Sequence, residues 1–438
     1  MARPEGFGWF AIVRLGAVQA SIGAIVMLST SLLNRVMVVE YGLAAAIPAG
    51  LVAWHYTVQL SRPIWGHGSD KGRRRTPWII GGLGVLAIGA LLAVHATTQI
   101  ATSPAMGGIL AGVAFTLIGA GVGASGTSLL ALLASGVARE RRAAAAAVTW
   151  IMMVAGIVIS AATAGALLDP FSETRLALVA SGVVAAAFVL TCLATFRLER
   201  QALVEAEETR AGPPPDFREA IREILSDETA RRFTLFIFVS MLAYSMQDLI
   251  LEPFAGLVFD MTPGQSTSLA GVQHGGVLAG MIATGIGGSA FAGRMPVELR
   301  VWIVAGCLGS ALALLGLATG AVIGTGWPLA TNVFALGFCN GAFAVAAIGA
   351  MMGLAGAGER TREGVRMGVW GAAQAIAFGM GGLLGALGVD LARRSGGNDA
   401  AAFQLIFLIE AAAFVFAAFL ALRATTRTVA LKQGLASL

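Results

Sequence analysis

Apolar runs long enough to cross a bilayer recur twelve times along this chain, and that recurrence constrains its fold more than any other feature. A helix needs about 20 apolar residues to span the hydrocarbon core. Such runs occupy residues 10–34, 42–61, 77–96, 107–136, 144–168, 175–197, 232–257, 266–292, 301–321, 327–354, 367–391 and 402–423. In lipid every backbone N–H and C=O must be satisfied within the protein, so runs of this length form helices. Composition agrees, because only 12% of the residues are charged, where a soluble domain carries about 25%. The expected fold class is therefore an all-α membrane protein with twelve transmembrane helices in two pseudo-symmetric six-helix bundles.

The basic residues set the orientation, since Lys and Arg accumulate in cytoplasmic loops. With a cytoplasmic N-terminus, 24 of the 29 Lys and Arg fall on the inner side. Arg35, Arg175, Arg393 and Arg394 fall outside, and Arg14 lies within the first span. Both termini are thus expected in the cytoplasm. The net charge of +5 comes from these short loops, which excludes nucleic acid as a partner. Cys192, Cys307 and Cys339 all lie in apolar runs without metal-ligand spacing and read as small buried hydrophobes. The first apolar run is too long for a signal peptide and lacks a small-residue cleavage site, so it reads as a retained span.

The longest polar stretch, Arg197 to Arg232, divides the spans six and six. The expected organisation is a bundle over 1–197, a cytoplasmic linker over 198–231, and a second bundle with a short tail over 232–438. Within the linker, Phe217, Ile221, Ile224 and Leu225 follow Pro213-Pro214-Pro215 at one-face helical spacing. They predict a short amphipathic helix, lying on the membrane surface or solvated as a connector. The halves also echo one another, as transporter repeats do. In spans 5 and 11 a basic loop leads to Trp150 or Trp370, a glycine-spaced helix and a terminal Asp169 or Asp390.

Between spans 2 and 3 stands the string GHGSDKGRRRTPW. Its Gly66, Asp70, Lys71, Gly72, Arg73 and Arg74 resemble the signature loop of the major facilitator superfamily, one residue short between Asp70 and Gly72. A tight turn carrying an acid and several bases suits a gating and packing role. The acid accepts from helix N-termini while the arginines face water or pair across the half.

Ionisable groups at membrane depth are costly and mark function by default. Arg14 sits one turn from the inner end and can snorkel. Asp248 lies about 24 Å along its span from Arg232, and Glu410 about 12 Å from the outer end of its own span, at 1.5 Å per residue. Glu252, Asn34, Arg35 and Glu40 share that outer half. Arg35 is expected to pair with Asp248 or Glu252, lowering the cost of burying each; contact with headgroups or water is the competing reading. Of the four histidines, His55, His95 and His274 lie in spans and His67 lies in the signature loop. None has a second ligand at metal spacing, so each reads first as an interior hydrogen-bonder. Gln273-His274 stands apart because Gly276 leaves room for a planar ligand. Gln19, Gln247, Asn340 and Gln374 are expected to bond between helices.

Four stretches together resemble the PucC/LhaA family of light-harvesting complex assembly proteins. They are RLGAVQASIGAIVMLSTSLLNRVMVVE, RPIWGHGSDKGRRRTPWI, SMQDLILEPFAGLVFDMTPGQSTSL and the paired pattern of spans 5 and 11. Phe254-Ala255 replaces the Tyr-Gly often found after Glu-Pro in that family. The resemblance implies a photosynthetic, intracytoplasmic inner membrane and a role in antenna assembly, by delivering bacteriochlorophyll or by chaperoning antenna α and β polypeptides. The reaction-centre core complex, bacteriochlorophyll biosynthesis enzymes and membrane lipids are further partners it admits. On that reading His274, Glu252 and Gln273 are the candidate pigment ligands, with Arg35 and Asp248 as a supporting polar pair. An enzyme is not expected, because a prenyl-transferring synthase needs aspartate-rich motifs that are absent here. The alternative is a proton-coupled transporter of a small solute, since GRRRTPW also resembles cation-coupled glycoside symporters. Against it, the middles of spans 4, 5, 10 and 11 are Ala, Gly, Val, Ile and Met.

Overall fold

The computed structural model describes residues 7–62, 65, 69, 74–137, 142–199, 228–287, 299–356, 363–395 and 398–435. All regular structure in them is helical, and eleven helices are long and apolar enough to cross a membrane. The protein is a multi-pass membrane protein. Its helices are α1 (Trp9–Glu40), α2 (Ala46–Gln59), α3 (Thr76–Thr102), α4 (Pro104–Gly136), α5 (Arg142–Leu168) and α6 (Glu173–Thr195). After the linker come α7 (Glu228–Asp248), α8 (Leu251–Val258), α9 (Pro263–Gly287), α10 (Leu299–Ile323), α11 (Leu329–Gly356), α12 (Glu363–Arg394) and α13 (Asp399–Leu435). Here α7 and α8 make one span, Arg231–Val258. The short α2, at 14 residues, occupies the place of the second apolar run and completes the twelve.

The signature-loop residues Gly66, Asp70, Lys71, Gly72 and Arg73, together with His67 and the linker segment from Phe217 to Leu225, lie outside the described residues. Arg74 is described and exposed.

Two elements depart from the apolar pattern for identifiable reasons. The first run ends at residue 34 by hydropathy, yet α1 continues through Arg35 to Glu40. It does so by widening into π-helical turns at Leu28–Leu32 and Val36–Glu40. There the Leu33 N–H reaches Leu28 O and the Tyr41 N–H reaches Val36 O, each five residues back. The seventh run breaks between Asp248 and Leu251. Pro253 has no N–H, and its ring collides with the carbonyl four residues earlier, which is that of Leu249. A single turn, Ile250 N–H to Gln247 O at 3.2 Å, bridges the break.

The chain folds as two compact units, and the break in the seventh span is one of their boundaries. One unit lies within Met1–Ala211 together with Leu251–His274; the other lies within Gly212–Ile250 and Gly275–Leu438. In the first, α1 packs on α5 and α6, α3 on α4 and α6, and α2 on α4. In the second, α10 packs on α11 and α13, and α7 on α12 and α13. Glycine permits these approaches. A Cβ at Gly385 of α12 would stand 2.7 Å from Met246 O of α7, closer than atoms pack. The small face of α12 that includes Gly382 and Gly385 is therefore filled by α7.

Candidate functional site

The most polar buried place in the first unit is built around Arg35. Its side chain is 1% exposed, and burying a guanidinium requires partners for all its donors. Nε donates to Ser266 Oγ at 3.0 Å, Nη2 donates to Met261 O at 2.6 Å, and Nη1 pairs with the Glu40 carboxylate. The π-helical turn makes the Arg35–Glu40 pair possible. In an α-helix, residues five apart point to different sides of the axis, whereas the wider i→i+5 turn stacks them. Gly256 of α8 leaves the guanidinium its place: a Cβ there would lie 3.1 Å from Nη2.

Glu252 belongs to the same cluster but is held by hydroxyls. It is buried, and it accepts from Ser31 Oγ and from Thr267 Oγ1, the latter at 3.4 Å. Sequence reasoning paired Arg35 with Asp248 or Glu252. The direct carboxylate partner is instead Glu40, while Arg35 and Glu252 are linked through neighbouring residues of α9, Ser266 and Thr267. Asp248 is half-buried and belongs to the second unit.

A second set of contacts fixes the start of α9. The Asp169 carboxylate accepts from Thr262 Oγ1 at 2.5 Å and from the Gly264 N–H at 3.1 Å. A helix N-terminus leaves its first N–H groups without partners and carries partial positive charge. Asp169, at the end of α5, thus caps a helix from the far side of the linker. Arg175 in turn donates to Asp169 O. The approach depends on Gly165, where a Cβ would sit 2.2 Å from Ser268 Oγ. Nearby, Tyr41 donates to Glu173 at 2.9 Å. Burial, reinforced by that bond and the Glu173 charge, raises the phenol well above its ordinary pKa.

Among the pigment-ligand candidates, His274 is half-buried and its Nδ1 lies 2.9 Å from Ala270 O. A carbonyl accepts only, so Nδ1 carries the proton and Nε2 carries the lone pair. Ligating histidines are oriented through their other nitrogen in the same way. Gln273 is buried beside it. Glu252 is poorer as a ligand, since hydroxyls already occupy both of its oxygens. The room expected at Gly276 is taken, because a Cβ there would meet Phe334 O of α11 at 2.3 Å. At Gly275 a Cβ would meet nothing within 4 Å. No group of three or more His, Cys, Asp or Glu capable of holding a metal ion occurs among the described residues.

Several roles were not legible in the sequence. Arg14 donates to Ala194 O at 2.9 Å and to Phe196 O, so it caps the carbonyl end of α6. Glu199 caps the start of α3, accepting from the Arg75 and Thr76 N–H groups at 2.5 and 3.1 Å. Ser31, Ser266 and Thr267 carry no sequence signal of this role beyond Ser31 standing four residues before Arg35. Of the expected interhelical amides, Asn340 accepts from Ser310 at 2.7 Å and Gln19 donates to Met153 Sδ at 3.3 Å. Gln247 has a partner for neither amide atom among the described residues.

This fold is that of the major facilitator superfamily transporters. It matches a bacterial homologue of the human lysosomal transporter Spinster, in an inward-facing and occupied conformation, with a TM-score of 0.67 at 14% identity, covering 97% of this chain and 98% of the other. It also matches a bacterial homologue of the human drug peptide transporters PepT1 and PepT2, with a TM-score of 0.70 at 12% identity over 96% and 99% of the two chains. At family level the sequence is decisive: residues 32–429 match the model of the PUCC protein family, and the chain belongs to it. It is 50% identical over 415 residues to the bacteriochlorophyll synthase 44.5 kDa chain of Rhodobacter capsulatus, covering 94% of this chain and 95% of that one. It is 29% identical over 426 residues to the Protein PucC of the same organism, covering 93% and 90%.

Proposed function

We propose that this protein is a non-enzymatic assembly factor for bacterial light-harvesting antenna complexes. It acts in the intracytoplasmic photosynthetic membrane with both termini in the cytoplasm. It handles bacteriochlorophyll on its way to antenna α and β polypeptides, or chaperones those polypeptides. The observation that carries the reading is His274. Its Nδ1 is committed to Ala270 O, so Nε2 would be the nitrogen able to hold a chlorin magnesium. The names of the relatives, one a bacteriochlorophyll synthase chain, point to the same pigment. A synthase activity would need groups that hold a diphosphate and its magnesium, and the cluster around Arg35 has every guanidinium nitrogen engaged. That cluster serves as a rigid polar support, and Gln273 is buried beside His274 in sequence.

Gentle purification from a phototrophic host, followed by absorption spectroscopy and identification of co-purifying chains, tests this. Bacteriochlorophyll is expected at near-stoichiometric level and is expected to fall at least several-fold in His274→Ala. A colourless protein that carries antenna polypeptides would leave the chaperone role alone. A colourless protein without partners would favour the second reading, solute transport, which the fold supports.

A further inference from the structure

The second unit buries a carboxylate that no hydrogen-bond partner among the described residues satisfies. Glu410 of α13 is 0% exposed, and neither carboxylate oxygen has a hydrogen-bond partner. It lies on the same face as Phe403, Phe407 and Phe414, all fully buried. An isolated carboxylate in such surroundings costs several kcal/mol or more, and the group avoids that cost by neutralising. Among the described residues no cation compensates it. Three helices pack against α13: α7, α10 and α12. Their ionisable groups include Tyr244 and Asp248 on α7, Arg300 and Cys307 on α10, and Asp390, Arg393 and Arg394 on α12. On α13 itself, Asp399 pairs with Arg393 near its start, and Arg423 stands toward its other end. Of these, Asp248, on the α7 helix packed against α13, lies near enough for its charge, of the same sign, to act on Glu410. Next to Asp248, Gln247 is 0% exposed with both amide atoms unpartnered.

We propose that Asp248 and Glu410 form a membrane-embedded proton-binding site, holding one proton between two carboxyl groups so that the pair carries a single negative charge. Two neighbouring carboxylates in a buried place do not both ionise, and their protons come off as a pair. A metal ion is the poorer occupant. Calcium takes six to eight oxygen ligands and magnesium six, whereas among the described residues no donor hydrogen-bonds Glu410 and no group of three or more His, Cys, Asp or Glu is gathered to hold a metal. The proton enters from water and returns to it, with no other bond made or broken. The site shares no residue with the pigment-ligand candidates, so it stands whether or not the chain binds bacteriochlorophyll.

Difference infrared spectroscopy of the full-length protein in lipid nanodiscs, between neutral and alkaline pH, reads the site directly. A protonated-carboxyl C=O band is expected at neutral pH and should be lost in Glu410→Gln. In Asp248→Asn the band should remain but titrate at lower pH, by about one unit or more for strongly interacting sites, because the neighbouring negative charge is gone. The Asp248→Asn measurement stands on its own if Glu410→Gln does not fold. Absence of the band in the parent protein, its full retention in Glu410→Gln, or an unchanged titration in Asp248→Asn would each overturn the proposal. So would removal of the band at constant pH on replacing choline by sodium, which would identify a metal cation as the occupant.

Discussion

Arg35 and Glu40 stand five residues apart, a spacing that puts them on different sides of an α-helix and on the same side of a π-helix. Their pairing therefore reports backbone geometry as much as charge. Removing one partner of a buried ion pair leaves an uncompensated charge and costs about 3–5 kcal/mol. Arg35→Ala is expected to lose stability on that scale in reversible unfolding from detergent micelles. Arg35→Lys should recover little of it, because an ammonium cannot reproduce the planar fork that reaches Ser266, Met261 and Glu40 together. A loss within error for Arg35→Ala would mean that the cluster is not a structural anchor. Tyr41 gives a pH signature at the same scale. Its phenol stays protonated in the folded protein at a pH where the unfolded chain has already ionised. The folded state then binds more protons, so stability is fully present below the ordinary tyrosine range, near pH 10, and falls as pH rises above it. Tyr41→Phe should flatten that alkaline decline, and an unchanged decline would assign it elsewhere.

At the scale of elements, three helix ends are closed by side chains distant in sequence, beside local caps such as Ser172 on α6 and Asn398 on α13. Asp169 caps α9, Glu199 caps α3 and Arg14 caps α6. Losing an N-cap carboxylate typically costs about 1 kcal/mol. Asp169→Ala is expected to lose that much and, more tellingly, to expose the Gly264 amide to faster hydrogen exchange. No change in exchange there would show that the start of α9 holds without its cap. Glycine contacts are the second element-level device. Gly385→Val drives a side chain into the α7 backbone, and overpacking of this kind costs about 1–3 kcal/mol. The same substitution at Gly182 of α6, where a Cβ meets nothing within 4 Å, is the matched control. Equal losses at both positions would show that helix propensity, not packing, sets the effect.

For the whole molecule, the informative feature is that Leu251–His274 follows the linker in sequence yet belongs to the first unit. The segment carries Glu252, Gly256, Met261, Thr262, Ser266 and Thr267, the groups that complete the cluster on α1 and the cap from α5. Its departure from the second half begins where Pro253 breaks the span. Restoring continuity with Pro253→Ala is expected to strengthen helix through residues 249–250 and to weaken the Arg35 cluster by pulling Met261 and Ser266 out of register. Hydrogen exchange at Ile250 and Leu251 would report the first effect, and unfolding stability the second. Slower exchange without any change in stability would separate the break from the cluster.

The long apolar helices, and Arg35, Glu252 and Glu410 as ionisable groups set within them, were legible in the sequence. Each follows from hydropathy and from the 1.5 Å rise of a helix, which are local quantities. Pairings were not legible, because they depend on which helices meet and on departures from α-helical geometry. The π-helical turn sent Arg35 to Glu40 instead of Glu252. The break at Pro253 carried a stretch of the second half into the first unit. The close approach of α9 and α11 filled the space that Gly276 seemed to leave open. Tertiary structure also decided which buried polar groups found partners: Arg35 and Glu252 did, while Gln247 and Glu410 found none among the described residues.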